Sequence, residues 1–224
     1  MQLSMIIPVL NEAAGITQYL SLLQGYRNVG HEIILVDGGS RDATLLQAQG
    51  RVDKIVQSGR GRARQMNAGA EQAQGEVLLF LHADTWLPEK ADMLIREALE
   101  GGRVWGRFDV RLSGRAWPLR VIENLMNWRS RLTGIATGDQ AMFILREAFV
   151  HLGGFADIPL MEDLELSRRL KKISPPCCLH ARVITSSRRW ETQGILRTVL
   201  LMWSLRLAWF LGVPAARLQR IYYR

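Results

Sequence analysis

The stretch LSMIIPV at residues 3–9 is a short apolar run rich in isoleucine, which is typical of a buried β-strand. Runs of the same character recur along the first half of the chain, at residues 32–36, 54–57 and 77–81. Helical patterns separate these runs; we expect one to end near residue 23 and others to cover residues 44–49, 64–74 and 91–99. Because strands alternate with helices and are apolar on both faces, the pattern predicts an α/β fold with a mostly parallel sheet flanked by helices.

The middle of the chain has a less regular pattern. We expect an antiparallel strand, a helix, a second strand and two more helices, at residues 105–112, 119–132, 138–145, 146–152 and 163–172. No linker separates the two halves of the sequence. We therefore predict one domain over residues 1–190 with a C-terminal helical appendage over residues 191–224.

The composition limits the classes of protein to which this chain can belong. The chain has 224 residues, of which 48% are hydrophobic and 22% charged, so it is long enough to bury a core and is not disordered. The two cysteines, Cys177 and Cys178, are adjacent, which excludes a disulfide framework and a four-thiolate zinc site. The first apolar run is too short for a secretory signal and contains Pro8, so we expect a cytoplasmic location.

The charge of +8 is concentrated at one end of the chain. Residues 1–167 carry a net charge of −3, whereas residues 168–224 carry +11 and contain one acidic residue, Glu191. A basic region of this kind favours an anionic neighbour, which could be lipid head groups, a phosphorylated substrate or nucleic acid. A solvated basic surface is the alternative.

Residues 195–213 form an apolar stretch whose length approaches that of a membrane span. Arg197 and Arg206 argue against a span, because each costs roughly 2.5–3.5 kcal/mol near the centre of the bilayer. Two interpretations stay open: the helix covers the core of the domain, or it lies peripherally on a membrane. In the second case the expected membrane contacts are Trp203, Trp209 and Phe210 with lipid and Arg217, Arg220 and Arg224 with lipid phosphates.

Polar clusters directly follow three of the predicted strands, at Asn11-Glu12, at residues 37–42 and at residues 82–84. Ligands bind beyond the carboxyl ends of strands in an open parallel sheet, so we expect the three clusters to converge on one crevice. Asp84 is the best candidate metal ligand, because Mg²⁺ is often held by one or two carboxylates together with substrate phosphates. Capping of the next helix is the alternative role for Asp84.

Two further segments could carry chemistry. The loop at residues 59–64 alternates glycine with arginine before a helix, a pattern suited to phosphate oxygens; a solvated loop is the alternative. The loop lacks the interleaved aromatic residues of a single-strand binding platform, so we expect no nucleic acid. Glu162 and Asp163 open a helix, where the dipole should lower the pKa of a carboxyl group and capping would explain both residues.

In their order along the chain, these clusters resemble the family 2 glycosyltransferases with the GT-A fold. Residues 6–12 resemble the first strand of that family, and residues 36–44 resemble its "DDGSxDxT" stretch. The remaining similar segments are Arg64, Asn67 and Gly69 (the "RNxG" helix), His82-Ala83-Asp84 (the DxD motif), Gly138-Asp139-Gln140, Gly153-Gly154-Phe155 and Glu162-Asp163 (the acceptor and catalytic segment) and Ser187-Arg188-Arg189-Trp190 (a basic-aromatic motif). The resemblance covers roughly residues 3–190 and looks closest to a small bacterial subgroup that accompanies radical-SAM proteins and is linked to arsenosugar biosynthesis.

The resemblance implies an inverting transfer of a sugar from a nucleotide diphosphate sugar to an unidentified acceptor hydroxyl. It implies that Asp163 is the catalytic base with Glu162 in support, and that Asp84 binds Mg²⁺ or Mn²⁺. It places Gly138 and Asp139 on the acceptor side. The implied nucleotide-sugar site consists of Pro8, Leu10, Glu12, Asp37, Arg64, His82, Ala83, Arg188 and Arg189.

Three other functions remain open from the sequence. A nucleotidyltransferase would share the fold and the metal, although the glycine-rich entry loop expected near residue 10 is missing. A non-catalytic module that binds nucleotide sugars or anionic lipids is favoured by His82, which stands where the family has its first DxD aspartate. A binder of membranes or nucleic acid would depend on the basic C-terminal region alone.

Overall fold

The computed structural model describes residues 1–222, so Arg224, one of the residues expected on lipid phosphates, lies outside the described residues. The strands are β1 (Leu3–Val9), β2 (Glu32–Asp37), β3 (Lys54–Gln57), β4 (Val77–Phe80), β5 (Thr85–Trp86), β6 (Trp105–Leu112), β7 (Phe143–Leu145) and β8 (Cys177–Thr185). The helices are α1 (Ile16–Asn28), α2 (Thr44–Ala48), α3 (Arg62–Gln72), α4 (Ala91–Glu100), α5 (Trp117–Thr133), α6 (Arg146–His151), α7 (Glu162–Ile173), α8 (Arg188–Gln193), α9 (Ile195–Phe210) and α10 (Ala215–Tyr222), with a 3-10 turn at Gly138–Gln140.

The strands form one mixed sheet in the order β3-β2-β1-β4-β7-β6-β8-β5. Strands β1 to β4 are parallel to one another, β7 is antiparallel to β4 and β6, β6 is parallel to β8, and β5 is antiparallel to β8. All described strands except β5 and β7 therefore point the same way. Their carboxyl ends share one edge of the sheet, and this edge carries the site described below.

Alternating side chains of the strands build a core on each face of the sheet. On one face Met5, Ile7 and Ile33 pack with α1 and α4, and on the other Ile6 and Ile34 pack with α3 and α7. All five of these strand residues are fully buried. Helices cover both faces, as the continuous apolar runs predict, so the mostly parallel α/β fold is confirmed.

Some of the expected elements differ in the structure. The strand expected at residues 138–145 is a 3-10 turn followed by the short β7, and the strand expected to be antiparallel at residues 105–112 is antiparallel to β7 but parallel to β8. The sequence did not predict β8 or β5. Polar and half-exposed residues such as His180 and Arg182 interrupt β8, so its sequence lacks the continuous apolar character of the central strands.

The C-terminal helices pack against the rest of the chain. Leu205 of α9 and Leu218 of α10 are buried with Ile135, Leu160 and Leu164. This packing agrees with the interpretation that the C-terminal segment covers the core, and the boundary at residue 190 stays a prediction. No helix in the described part of the chain is long and apolar enough to cross a membrane.

Candidate active site

Two loops at the carboxyl edge of the sheet are joined by hydrogen bonds. The Asn11 amide donates to the Ser40 hydroxyl at 2.9 Å, and the Glu12 amide donates to Thr44 Oγ1 at 2.8 Å. The buried Asp37 carboxylate accepts from the amides of Gly39 and Ser40 at 3.0–3.1 Å. Asp37 therefore shapes its own turn, and its carboxylate keeps lone pairs for a further donor.

Gln65 of α3 lies beneath this turn and was not singled out by the sequence. Its side-chain amide is buried and donates to the carbonyls of Val9 and Val36, both at 2.9 Å, so it joins the ends of β1 and β2. A Cβ atom at Gly38 would lie 3.0 Å from the Gln65 side chain. The close approach favours glycine at this position of the turn.

A cavity of about 320 Å³ opens beside the ends of β4, β6 and β8. It brings together, from segments far apart in the sequence, the predicted residues His82, Asp84, Gly138, Asp139, Glu162, Asp163, Arg188 and Arg189. The cavity is also lined by Arg62, Trp190 and Arg206 and by apolar residues of β6 and α9. Arginines from three segments of the chain thus surround a cavity whose floor carries Glu162 and Asp163. This arrangement suits a bound phosphate ester and a metal ion.

The start of α7 places two carboxylates on the floor of the cavity. Met161, which precedes the helix, has a left-handed backbone with φ of 70°. Asp163 Oδ2 accepts from the Gly138 amide at 2.7 Å, and its Oδ1 accepts from the Leu164 amide at 2.8 Å. The Asp163 carboxylate therefore holds the 3-10 turn against the start of α7 rather than serving only as a helix cap.

Burial reverses the expected effect of the helix start on these carboxylates. Desolvation raises the pKa of Asp163 above its usual range, although two backbone amides act against the rise. Burial, and next the negative charge of Asp163, raise the pKa of Glu162 to about 7. The expectation that the helix dipole would lower both pKa values is therefore wrong, because the loss of hydration outweighs the dipole.

His82 is neutral at physiological pH. Burial, together with the positive charge of Arg62, lowers its pKa to about 3. A Cβ atom at Gly138 would lie 2.9 Å from His82 Nε2 and 3.8 Å from Asp163 Oδ2, so the imidazole packs directly on the acceptor-side turn. His82 therefore joins the DxD-like segment to the catalytic segment.

Asp84 lies on the wall of the same cavity, and strand pairing fixes its surroundings. Thr85 pairs with Thr185, and the Ser186 amide donates to the Asp84 carbonyl at 3.1 Å, which brings the start of α8 beside Asp84. Burial raises the pKa of the Asp84 carboxyl group, whereas the charges of Arg62 and Arg188 lower it. The pKa of Glu12 is raised by burial and by Asp84, so the nucleotide-side loop faces this site.

The arginines expected to hold phosphates differ in their surroundings. Arg64 forms a two-pronged ion pair with Asp157, at 2.8 and 2.9 Å, beside a neighbouring cavity of about 450 Å³. Arg62 lines both cavities. The Arg189 guanidinium stacks on the Tyr222 ring at 3.7 Å. Arg188 has no hydrogen-bond partner for its guanidinium in the described chain, which leaves it available to a ligand.

The side of the cavity next to Gly138 and Asp139 holds two residues that the sequence did not assign to the site. Arg206 of α9 faces the cavity, and Arg129 of α5 lies behind it. Burial and the charge of Arg206 lower the pKa of Arg129 to about 10. Asp139 Oδ1 is buried here without a hydrogen-bond partner among residues 1–222. The apolar sequence of α9 did not predict which of its arginines would face the cavity.

Comparison with known proteins agrees with this geometry. One curated relative is the undecaprenyl-phosphate 4-deoxy-4-formamido-L-arabinose transferase of Pseudomonas paraeruginosa, which is 38% identical over 151 residues. The match covers 61% of this chain and 44% of that protein. The chain thus matches less than half the length of this curated relative.

Solved structures share the fold. TarS of Staphylococcus aureus, in complex with UDP-GlcNAc, matches with a TM-score of 0.66 at 18% identity, over 83% of this chain and 58% of that one. The mannosyltransferase PcManGT of Pyrobaculum calidifontis, in complex with GDP-Man and Mn²⁺, matches with a TM-score of 0.64 at 21% identity, over 92% and 61%. The expected GT-A fold is confirmed.

A family model described as "Glycosyl transferase family 2" matches residues 4–153. The matched region contains the sheet edge with Asp37, the DxD-like segment with Asp84 and the acceptor-side turn with Asp139. The resemblance to this family is thereby confirmed. The chain belongs to glycosyl transferase family 2.

Proposed function

We propose that this glycosyltransferase moves a sugar from a nucleotide diphosphate sugar to an acceptor hydroxyl, with inversion at the anomeric carbon. The observation that carries the proposal is the single cavity in which Asp163, Asp84 and Arg188 converge. Its narrower placement in the radical-SAM-associated, arsenosugar-type subgroup rests on motif resemblance and stays part of the proposal.

The donor binds at the carboxyl edge of the sheet. Pro8 lies near the end of β1, and Leu10 and Glu12 follow it. In the proposed complex these residues, Asp37 and Ala83 surround the nucleotide. Arg188 holds a phosphate, because its guanidinium is exposed beside Asp84 and Glu12. UDP-GlcNAc and GDP-Man in the two structural neighbours support a nucleotide diphosphate as the leaving group.

The residues around Asp84 fit a hard divalent cation. No group of three or more histidine, cysteine or acidic side chains in the described chain could enclose a metal ion. A shell with one carboxylate and diphosphate oxygens is common for Mg²⁺ and does not need such a group. Asp84 would hold the ion, and the partly buried carboxylate of Asp139 adds negative charge nearby. A bound Mg²⁺ or Mn²⁺ supplies neutralisation of the leaving diphosphate.

Asp163 has the surroundings of a general base. In the proposed reaction the acceptor oxygen bonds to the anomeric carbon, the bond from that carbon to the diphosphate breaks, and the acceptor proton passes to Asp163. Its raised pKa improves its capacity to accept a proton near neutral pH. The Gly138 amide fixes the carboxylate at 2.7 Å, and Glu162 adds negative charge beside it. A single displacement at the anomeric carbon inverts its configuration.

A lipid phosphate is a second candidate acceptor. Arg206 and the apolar side chains of Met202 and Leu205 line the acceptor side of the cavity, which suits an amphiphilic anion. The curated relative is named for transfer to undecaprenyl phosphate. Peripheral attachment to the cytoplasmic face of a membrane through residues 191–224 belongs to the same proposal and is supported by their basic charge.

A screen of nucleotide sugars tests the proposed function. We expect one nucleotide diphosphate to raise the thermal midpoint only with Mg²⁺ or Mn²⁺, and its sugar to be transferred or slowly hydrolysed. The metal dependence follows from the charge of the diphosphate beside Asp84. Stabilisation without any turnover would indicate a binding module, and cleavage of nucleoside triphosphates to pyrophosphate would indicate a nucleotidyltransferase.

The paired carboxylates predict the pH dependence of transfer. Asp163 and Glu162 titrate as a coupled pair, and a protonated Asp163 cannot accept a proton, so kcat/KM should fall on the acid side as the pH drops through the raised pKa values of the two carboxyl groups. Glu162→Gln removes one member of the coupled pair, so only the titration of Asp163 remains and the acid limb should move to lower pH. Measurement of kcat/KM between about pH 5 and pH 9 in both proteins checks this. An unmoved acid limb in Glu162→Gln contradicts the pairing.

A further inference from the structure

Helix α5 presents an apolar stripe to solvent. Every third or fourth residue along one face is large and apolar, and the set consists of Trp117, Val121, Leu125, Trp128 and Leu132. The side chains of Trp117 and Trp128 are 75% and 62% exposed. Large apolar side chains at this spacing normally face a core, so this face lacks its partner in the described chain.

Helix α9 presents a second stripe with the same spacing. It consists of Leu196, Leu200, Trp203, Leu207 and Phe210, all exposed. Arg206, one of the two arginines that argue against a membrane span, lines the cavity and lies outside the stripe. The outward face of α9 is therefore apolar along its whole length.

The two helices lie side by side and run in the same direction. Ile195 and Val199 of α9 pack in one cluster with Leu119 and Ile122 of α5. Further along, Leu205 of α9 is buried in one cluster with Ile135, which lies two residues after the end of α5. The starts of α5 and α9 pack together, and the later part of α9 lies near the end of α5. The two helices are therefore parallel.

The helical periodicity places both stripes on the same side of this pair. At about 100° per residue, the α9 stripe lies roughly a quarter turn from the flank that carries Val199 and Arg206. The α5 stripe lies roughly a quarter turn, in the opposite sense, from the flank that carries Ile122 and Arg129. Because these flanks face each other, the opposite offsets bring the two stripes onto one surface.

The exposed charges on α5, α9 and α10 have one sign. The segments 117–133 and 195–222 contain one acidic residue, Glu123, which is 1% exposed and paired with Arg120 and Arg182. Arginines, by contrast, occur on α5, α9 and α10, and Arg197 of α9 is exposed beside the stripe. A second copy of this chain would bring the same positive charge, so the surface is complementary to an anionic partner.

We propose that the paired faces of α5 and α9 form one membrane-docking surface for anionic bilayers. This inference extends the proposed peripheral attachment from residues 191–224 to α5, which lies within the catalytic domain. Exposed tryptophans at the start and in the second half of α5 and in the middle of α9 suit the boundary between head groups and acyl chains. The 16 residues of α9 span about 24 Å, short of the roughly 30 Å of hydrocarbon, so the helices lie in the plane of the interface.

Docking in this orientation places the seam between α5 and α9 against the lipid. Arg206 and Arg129 lie at this seam, next to the cavity that holds Asp163. An acceptor anchored in the membrane would therefore reach the acceptor side of the cavity without leaving the interface. The inference gives α5 a role that is separate from the chemistry of transfer.

Binding to vesicles separates the contribution of each helix. The probe is a vesicle of equimolar phosphatidylglycerol and phosphatidylcholine at about 50 mM salt, with binding measured by sedimentation. We expect the unmodified chain to bind, and both Trp117→Ser/Trp128→Ser on α5 and Leu196→Ser/Trp203→Ser on α9 to bind at least about tenfold more weakly. The matched control Leu46→Ser/Val150→Ser removes two equally exposed apolar residues from α2 and α6 and should bind as the unmodified chain does.

Each contrary outcome has a distinct meaning. If only the α9 variant loses binding, the two-helix surface is overturned while attachment through residues 191–224 stands. If the unmodified chain does not bind, both are overturned, and nucleotide-dependent stabilisation still tests the transferase function separately. If lipid-free chromatography shows a dimer that the α5 variant abolishes, the surface belongs to a second copy of the chain. Unchanged thermal midpoints in both variants establish that lost binding is not lost folding.

Discussion

Transfer should fall by roughly 10²–10⁴-fold when Asp163 is replaced by asparagine, with donor affinity nearly unchanged. Asparagine keeps the size of the side chain, and its oxygen can still accept from the Gly138 amide, which lies 2.7 Å from Oδ2 of Asp163. It gives up the second acceptor, which the Leu164 amide uses at 2.8 Å, and it cannot take the acceptor proton. Burial raises the pKa of Asp163, so a neutral side chain at this position should cost little free energy of unfolding. The fold should therefore survive, and the loss should appear in kcat.

The measurement is single-turnover transfer from the donor identified in the screen, with thermal midpoint and donor affinity recorded for the same sample. Glu97→Gln is the matched control, because Glu97 is exposed on α4, which packs on the face of the sheet opposite α7. Full transfer by Asp163→Asn would reject its role as the base. It would also favour the lipid-phosphate acceptor, since an ionised phosphate oxygen attacks without giving up a proton.

The central part of the fold was predictable because its sequence signals are local. Buried parallel strands such as β1 and β4 are continuous apolar runs, and polar residues follow them at the edge where ligands bind. The reversed strands gave weaker signals. β5 has two residues, and it exists because Thr85 and Trp86 pair with a strand about one hundred residues later in the chain. No local pattern encodes a pairing of this kind.

The sequence predicted which acidic residues line the cavity better than it predicted which arginines do. Asp84 and Asp163 were found because each follows a strand or opens a helix inside a family motif. In the loop at residues 59–64, however, three arginines alternate with small residues, and only the start of α3 decides which of them faces the cavity. Arg64 pairs with Asp157 outside the cavity, and Arg62 lines it.

The raised pKa values of Glu162 and Asp163 could not be predicted for a related reason. A helix start alone lowers the pKa of a carboxyl group, and the sequence showed only the helix start. Burial of Glu162 and Asp163 depends on α9 and the 3-10 turn, which close over them from other parts of the chain. The same tertiary packing points Arg206 inward and leaves the apolar stripe of α9 exposed.

Asp84→Asn should remove the metal-dependent part of donor binding and lower transfer by about 10²–10³-fold, since neutralising the leaving diphosphate is worth several kcal/mol. Asparagine keeps the shape of the side chain but not the charge that holds the cation. Thermal midpoints measured with nucleotide diphosphate, with and without Mn²⁺, give the result directly. The variant should show the same small stabilisation by nucleotide under both conditions.

Without ligand, Asp84→Asn should not lower the thermal midpoint of the protein. Burial raises the pKa of the Asp84 carboxyl group, so at neutral pH its ionised form is less favourable in the folded chain than in the unfolded one. Removing the charge should therefore leave the thermal midpoint of the free protein unchanged or higher, while the ligand-dependent rise is lost. A purely structural role for Asp84 predicts the reverse, with a lower midpoint and an undiminished response to Mn²⁺. The thermal midpoint of the free protein and its response to Mn²⁺ change in opposite directions only if the Asp84 carboxylate serves metal binding rather than the stability of the fold.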